Sequence, residues 1–175
     1  MKASILTIPL LVLFSSSGIG QSDAPRTVGK VLLIDGEKSV EMKYSMSNAR
    51  ATMSIFSTAK QYLILPGTVA TLRIKNPLPV FEFYADAGLN VETAVYVLRF
   101  DRESDRRQVR VAKAKGRKAA SGVPKDHTIA GALEEIGDGP NSTKHYRLKP
   151  SSPLRPGEYC LVRSNESCFD FGVDP

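Results

Sequence analysis

The spacing of turn signals constrains this chain most. Asp35-Gly36, Pro66-Gly67, Asn76-Pro77-Leu78-Pro79, the charged stretch 101–105, Asp138-Gly139-Pro140-Asn141 and Pro156-Gly157 recur along it. Glycine reaches left-handed backbone and proline fixes φ, so such pairs end regular structure. The runs between them are short and rich in β-branched and aromatic residues, which suits strands and leaves little room for long helices. Strands are expected at 31–34, 52–56, 62–65, 69–74, 80–84, 146–148, 157–163 and 168–173. Val40, Met42, Tyr44 and Met46 alternate with Glu41, Lys43 and Ser45, a period of two that predicts one half-buried strand over 40–46. Residues 94–100 form the most hydrophobic run and belong at the centre of a sheet, with 108–112 returning beside them. Residues 114–125 carry no apolar period and read as an exposed loop. Ile129, Leu133 and Ile136 have helical spacing in a stretch short enough for a strand, so both readings stand. Ten or eleven short strands predict an all-β antiparallel sandwich.

The first twenty residues are set apart. Met1-Lys2 precedes an apolar run from Ala3 to Phe14, followed by Ser15-Ser16-Ser17-Gly18-Ile19-Gly20. This is the pattern of a secretory leader, with Gly18 and Gly20 placed for cleavage before Gln21. The apolar run is too short for a spanning helix, which needs about 20 residues. Pro9 would kink a permanent one. The alternative is an uncleaved anchor or a buried strand. The expected organisation is therefore a signal peptide at 1–20, a flexible segment at 21–27 and one domain over 28–175. The setting is exported, periplasmic or extracellular, with no transmembrane segment in the mature chain.

Lysine and arginine total 24 against 18 acidic residues, and without Lys2 the net charge is +5. Much of the excess lies in one stretch: Arg106, Arg107, Arg110, Lys113, Lys115, Arg117 and Lys118. Such a stretch suits an anionic partner: an envelope polymer, an anionic lipid or a nucleic acid. It equally suits a solvated edge strand whose charges block sheet-to-sheet pairing. No aromatic residue is interleaved for base stacking, so nucleic acid is the weaker partner. Tryptophan is absent, which disfavours an aromatic carbohydrate platform.

Cys160 and Cys168 are the only cysteines. In an exported chain the pair reads as a disulfide, two reduced buried thiols being the alternative. An odd-length hairpin loop would set them face to face. An even-length loop would leave them diagonal and is expected to spoil the bond geometry.

Leu154-Arg155-Pro156-Gly157-Glu158-Tyr159 resembles the Leu-x-Pro-Gly-x-Tyr tyrosine corner of immunoglobulin-like and fibronectin-type domains. In that motif the residue matching Leu154 plugs the core and Pro156-Gly157 shapes the turn. Tyr159 would bury its ring while its hydroxyl bonds to upstream backbone. Together with Phe171-Gly172-Val173-Asp174, this end of the chain is similar to a group of uncharacterised exported bacterial domains. The resemblance extends through Pro79–Tyr84 and Tyr96–Phe100 to Asp105-Arg106-Arg107, about 100 residues. It implies an immunoglobulin-like β-sandwich in a bacterial envelope and implies no activity.

Chemistry-bearing residues are sparse. Met42, Met46 and Met53 can ligate copper(I), but Met42 and Met46 share a strand face suited to packing. His127 and His145 read as exposed loop residues. No strained nucleophile turn accompanies either. Glu134-Glu135 point apart on any regular element, whereas a glycosidase needs converging carboxylates. The sequence predicts no cofactor, no metal and no catalytic set. The expected function is binding or structural, to an unknown protein or an anionic envelope polymer. A small secreted hydrolase or a periplasmic metal-handling domain are the alternatives.

Overall fold

The computed structural model describes residues 29–45, 47–53, 58–115, 118–163 and 167–175. The expected leader at 1–20, the segment 21–27, Met46, residues 54–56 of an expected strand, Arg117 and the turn at 164–166 lie outside the described residues. Fifteen strands are described: β1 (Val31–Asp35), β2 (Lys38–Glu41), β3 (Tyr44–Ser45), β4 (Asn48–Met53), β5 (Thr58–Pro66), β6 (Arg73–Ile74), β7 (Val80–Asp86), β8 (Val95–Arg102), β9 (Arg106–Lys115), β10 (Lys118–Ser121), β11 (Thr128–Ile129), β12 (Gly131–Asp138), β13 (Thr143–Pro150), β14 (Gly157–Arg163) and β15 (Ser167–Val173). A single helical turn, α1 (Val91–Ala94), precedes β8. The chain is thus nearly all-β, and among the described residues only β6 on β15 pairs in parallel. Among the described residues no helix is long and apolar enough to cross a membrane.

One sheet runs β12-β13-β7-β1-β2; the other runs β3-β15-β14-β8-β9-β5-β4. The join within the larger sheet is narrow. β8 meets β9 only at Asp101↔Gln108 and Arg102↔Arg107, whereas β9 pairs with β5 along its length. The β4-β5-β9 portion therefore packs over the outer face of β8-β14-β15, giving three layers. Phe81, Phe83 and Leu148 of the smaller sheet meet Tyr159, Leu161 and Phe171 in the first core. Leu63, Leu65 and Val109 of the outer layer meet Leu98, Phe100, Cys160 and Val162 in the second. This explains the unbroken Tyr-Cys-Leu-Val run of β14: alternate residues enter different cores, so neither face can be polar.

Several sequence expectations change. The expected strand over 40–46 breaks at Met42 and Lys43, its two halves joining different sheets. Met42 plugs the first core, and its N–H donates to Val31 O at 2.8 Å. Only Arg73–Ile74 is extended within 69–74, and Val69 is exposed. Residues 114–125 are no open loop: β9 runs on to Lys115 and β10 returns beside it. Residues 129–136 are extended, in β11 and β12, because they pair with β8 and β13. The two-residue hairpin loop is Gly36-Glu37, one position beyond the expected pair, with Gly36 at φ +64°.

A charged clamp closes one end of the second core. Glu158, 1% exposed, sits at its centre. Its carboxylate accepts from Arg73 Nη1 at 2.6 Å, from Arg102 and from the Ala70 N–H at 2.7 Å. Arg107, also buried, donates to Asp170 at 2.6 Å and to the carbonyls of Pro66 at 2.9 Å and Gly67 at 3.1 Å. Ser45 donates to the other oxygen of Asp170. Arg73 reaches Asp174 as well, its Nε bonding at 3.0 Å. Three arginines thus balance three carboxylates, with Glu158 desolvated and hydrogen-bonded on both oxygens. Arg73 lies across Gly172, where any Cβ would collide with its guanidinium. That is why glycine stands in the Phe171-Gly172-Val173-Asp174 segment.

Tyr159 Oη donates to Arg155 O at 2.7 Å while its ring stacks on Phe171. Cys160 and Cys168 are bonded, with Cα atoms 5.6 Å apart. Their register is diagonal, Cys160 opposing Asp170 and Cys168 opposing Val162. The two cysteines thus stand on a diagonal of the β14–β15 ladder and not directly face to face.

Two outcomes follow from these contacts. Gly172→Ala should cost about 1–3 kcal/mol by forcing Arg73 off its carboxylates; urea denaturation reads this. Replacing both cysteines by alanine should cost about 2–3 kcal/mol through the small closed loop. That loss should vanish when parent and variant are compared under reducing conditions.

Candidate functional site

The basic stretch singled out in the sequence divides in the structure. Arg107 turns inward and belongs to the clamp, so it is not a surface cation. Arg106 is held at Asp105 and Gln108, both at 3.3 Å. Arg110 and Lys113 project from the outer layer. Lys115 and Lys118 oppose each other in the backbone register. β9 is an interior strand, flanked by β5 on one side and by β8 and β10 on the other. The solvated-edge explanation for its charges is therefore overturned.

A bulge sets which face these cations share. The β5–β9 register shifts between Gln61 and Tyr62, so Ala112 opposes Gln61 while Arg110 opposes Tyr62. Without the extra residue at Val111, Lys113 would fall on the opposite face from Arg110. With it, Val109 and Val111 pack inward and Arg110 and Lys113 both face outward. Lys113 directly opposes Lys60, and Arg110 and Arg50 flank Tyr62 in one cross-strand row. Like charges directly opposed across strands repel. The sequence reading missed Arg50 and Lys60. The signal was present: no acidic residue stands between Glu41 and Glu82, nor between Asp105 and Asp126, and those intervals supply β4, β5, β9 and β10.

Neither histidine is an exposed loop residue. His127 is half-buried beside two carboxylates, with Nε2 3.1 Å from Asp101 and Nδ1 3.3 Å from Asp126, the latter off the line of a hydrogen bond. The nearby imidazole holds the Asp126 carboxyl below its usual range, with a smaller contribution from Arg110. Among the described residues no group of three or more histidine, cysteine or acidic side chains is arranged to hold a metal. Met42 is in the core, and the side chains of Met46 and Met53 lie outside the described residues. Glu134 and Glu135 are opposite Arg147 and Tyr146 on the edge strand β12, pointing to different faces.

Three of the clefts formed by the described residues bear on the charged groups and the second core. An apolar one of about 450 Å³ opens into the second core between Leu63, Leu98, Val111 and Val162. A polar one of about 510 Å³ lies over the clamp, where Arg73 and Arg102 already bind Glu158. The third, about 360 Å³, runs beside the tyrosine corner between Arg99 and Arg155.

On β13, His145 is buried against the Tyr84 ring, with Nε2 3.4 Å from Glu82 and no aligned hydrogen bond. Glu82 is itself fully buried and takes two hydrogen bonds from Arg147, at 2.9 and 2.6 Å. Burial pushes the His145 pKa down; Arg147 adds to this and Glu82 opposes it. The unfolded imidazole then binds more protons than the folded one below about pH 6.5. Stability carried by neutral His145 is complete above that pH and declines as the solution is acidified. Urea midpoints measured from pH 7.5 to 5 should fall for the parent and fall less for His145→Gln.

No protein-family model, curated protein or solved structure matches this chain.

Proposed function

We propose that this chain is an exported, non-enzymatic binding protein of the bacterial envelope, an immunoglobulin-like sandwich whose outer layer holds an anionic surface polymer. One observation carries the reading. Arg50, Lys60, Arg110 and Lys113 share the outward face of β4, β5 and β9, strands that contain no acidic residue. In the clamp and at Glu82 the protein sets cations directly against carboxylates. The directly opposed Lys60 and Lys113 are left for an external anion to bridge. A regularly charged polymer meets such a face at many points, each weak and salt-screened, together selective for charge density. The leader-like start, the cysteine pair and the resemblance to exported domains support the setting. The Leu154–Tyr159 corner supports the immunoglobulin-like reading. Tyr62 is the single aromatic residue among these cations, which suits a polymer without stacked bases.

Binding of the purified protein to immobilised polygalacturonate, measured from 50 to 500 mM salt, tests this. Affinity should fall steadily as salt rises. Lys60→Gln with Lys113→Gln should weaken binding about tenfold or more, one such factor being about 1.4 kcal/mol. The same variant should melt no lower than the parent, because a repulsive pair has been removed. Salt-insensitive binding, or equal binding by the variant, overturns the proposal. Export is checked separately by the mass of the protein recovered from its source, which should begin at Gln21.

A further inference from the structure

The cleft beside the tyrosine corner differs from the rest of the surface in how its cations are left. Arg73, Arg102, Arg107 and Arg147 each bind a carboxylate. Arg99 and Arg155 line the cleft and bind none among the described residues. Arg99 projects from β8, opposite Tyr159 in the register, and its Nε lies close over Gly157. A Cβ at position 157 would meet that nitrogen at 3.5 Å, an ordinary contact, so the guanidinium lies directly beside the turn. Arg155 stands on the same turn, its carbonyl fixed by the Tyr159 hydroxyl. The corner therefore does two things: it closes the first core and it sets two guanidinium groups at one cleft. Tyr159 feels the field of Arg99, which lowers its pKa against the larger upward push of burial.

The remaining lining is mixed. Ser151, Ser152 and Thr128 bring hydroxyls, Asp126 an acceptor, and Ile129 and Leu154 an apolar wall. A volume of about 360 Å³ lies at the small end of the range for ligand pockets. We propose that this cleft is a subsite for one uronic acid residue, its carboxylate held by Arg99 and Arg155 and its hydroxyls by Asp126 and the serines. Planar guanidinium forks match a carboxylate in two-point geometry. Asp126 sets the class: it repels a doubly charged phosphate and accepts from a sugar hydroxyl. The inference takes its ligand source from the anionic-polymer reading, of which it is the recognition step. The sheet face supplies charge attraction and the cleft supplies identity.

The test is a titration of the isotope-labelled protein with sodium glucuronate, glucose and inorganic phosphate, followed by amide chemical shifts. Glucuronate should give saturable shifts at Thr128 and across 151–155. Glucose should give none, and equimolar phosphate should not displace glucuronate. Arg155→Gln, on an exposed turn, should weaken glucuronate binding at least tenfold without lowering the melting temperature. Arg99→Lys should fail to restore what Arg99→Gln loses, since a point charge lacks the fork. The Lys60, Lys113 double variant should bind glucuronate as the parent does. Absence of saturable shifts, displacement by phosphate, or parent-like binding by Arg155→Gln overturns the subsite. Polymer retention by the parent, lost in the Lys60, Lys113 variant, would leave the sheet-face reading standing if the subsite falls. Glucuronate binding without polymer retention would do the reverse.

Discussion

The buried Glu158 carboxylate is the contact on which the layered arrangement depends. It sits on the middle strand, β14, and is reached by arginines from β6 and β8, by the Ala70 amide and at longer range by Arg107 of β9. Each of those elements belongs to a different part of the chain. An isolated carboxylate in that position would be expelled or protonated, because desolvation costs several kcal/mol per ion. Its partners must therefore arrive together: Arg102 from β8 beside β14, Arg73 from β6 beside β15, and Arg107 from the outer layer. The clamp makes the second core a specific closure. Hydrophobic contact between Leu63, Leu65 and Cys160 could tolerate sliding; two-point guanidinium contacts do not.

The same accounting explains the two glycine-bearing motifs near the C-terminus. Pro156-Gly157-Glu158-Tyr159 and Phe171-Gly172-Val173-Asp174 are adjacent strands whose polar members converge on Arg73. Gly172 is the gap through which Arg73 passes. The apolar members, Tyr159, Phe171 and Val173, face the first core. One strand pair thus carries alternating duties, closing one core with rings and the other with charge.

Much of this was legible in the sequence, and the failures have causes. Turn punctuation and short β-rich runs predicted the all-β class, and 157–163 was placed as a strand to the residue. The 40–46 alternation was misread because period two is the same whether a strand continues or switches sheets at Met42. The 69–74 run has β propensity, but its backbone serves Glu158 instead of a ladder, Ala70 N–H being the example. The 114–125 segment has no apolar period, and its extension is set by the backbone pairing of β10 on the end of β9. Within the basic stretch, Arg107 and Arg110 look equivalent. Only the register and the Val111 bulge show that one is interior and the other outward. Arg50 and Lys60 were missed because cross-strand neighbours are far apart in sequence.

The outer layer therefore contains two opposite treatments of charge within a few residues. Its inward arginine is matched to a carboxylate, with backbone carbonyls filling the remaining donors. Its outward cations face each other. Folding alone would be served by an acidic residue at 60, which would turn repulsion into a cross-strand pair worth about 0.2–1 kcal/mol. The bulge adds to the conflict, since it places Lys113 on the face already occupied by Arg110. The inward Arg107 shows that this layer can match a cation with partners of its own. Local rules broken without internal compensation are expected where a partner supplies the compensation. On the function proposed above, the opposed Lys60 and Lys113 are where an external anion would supply that compensation.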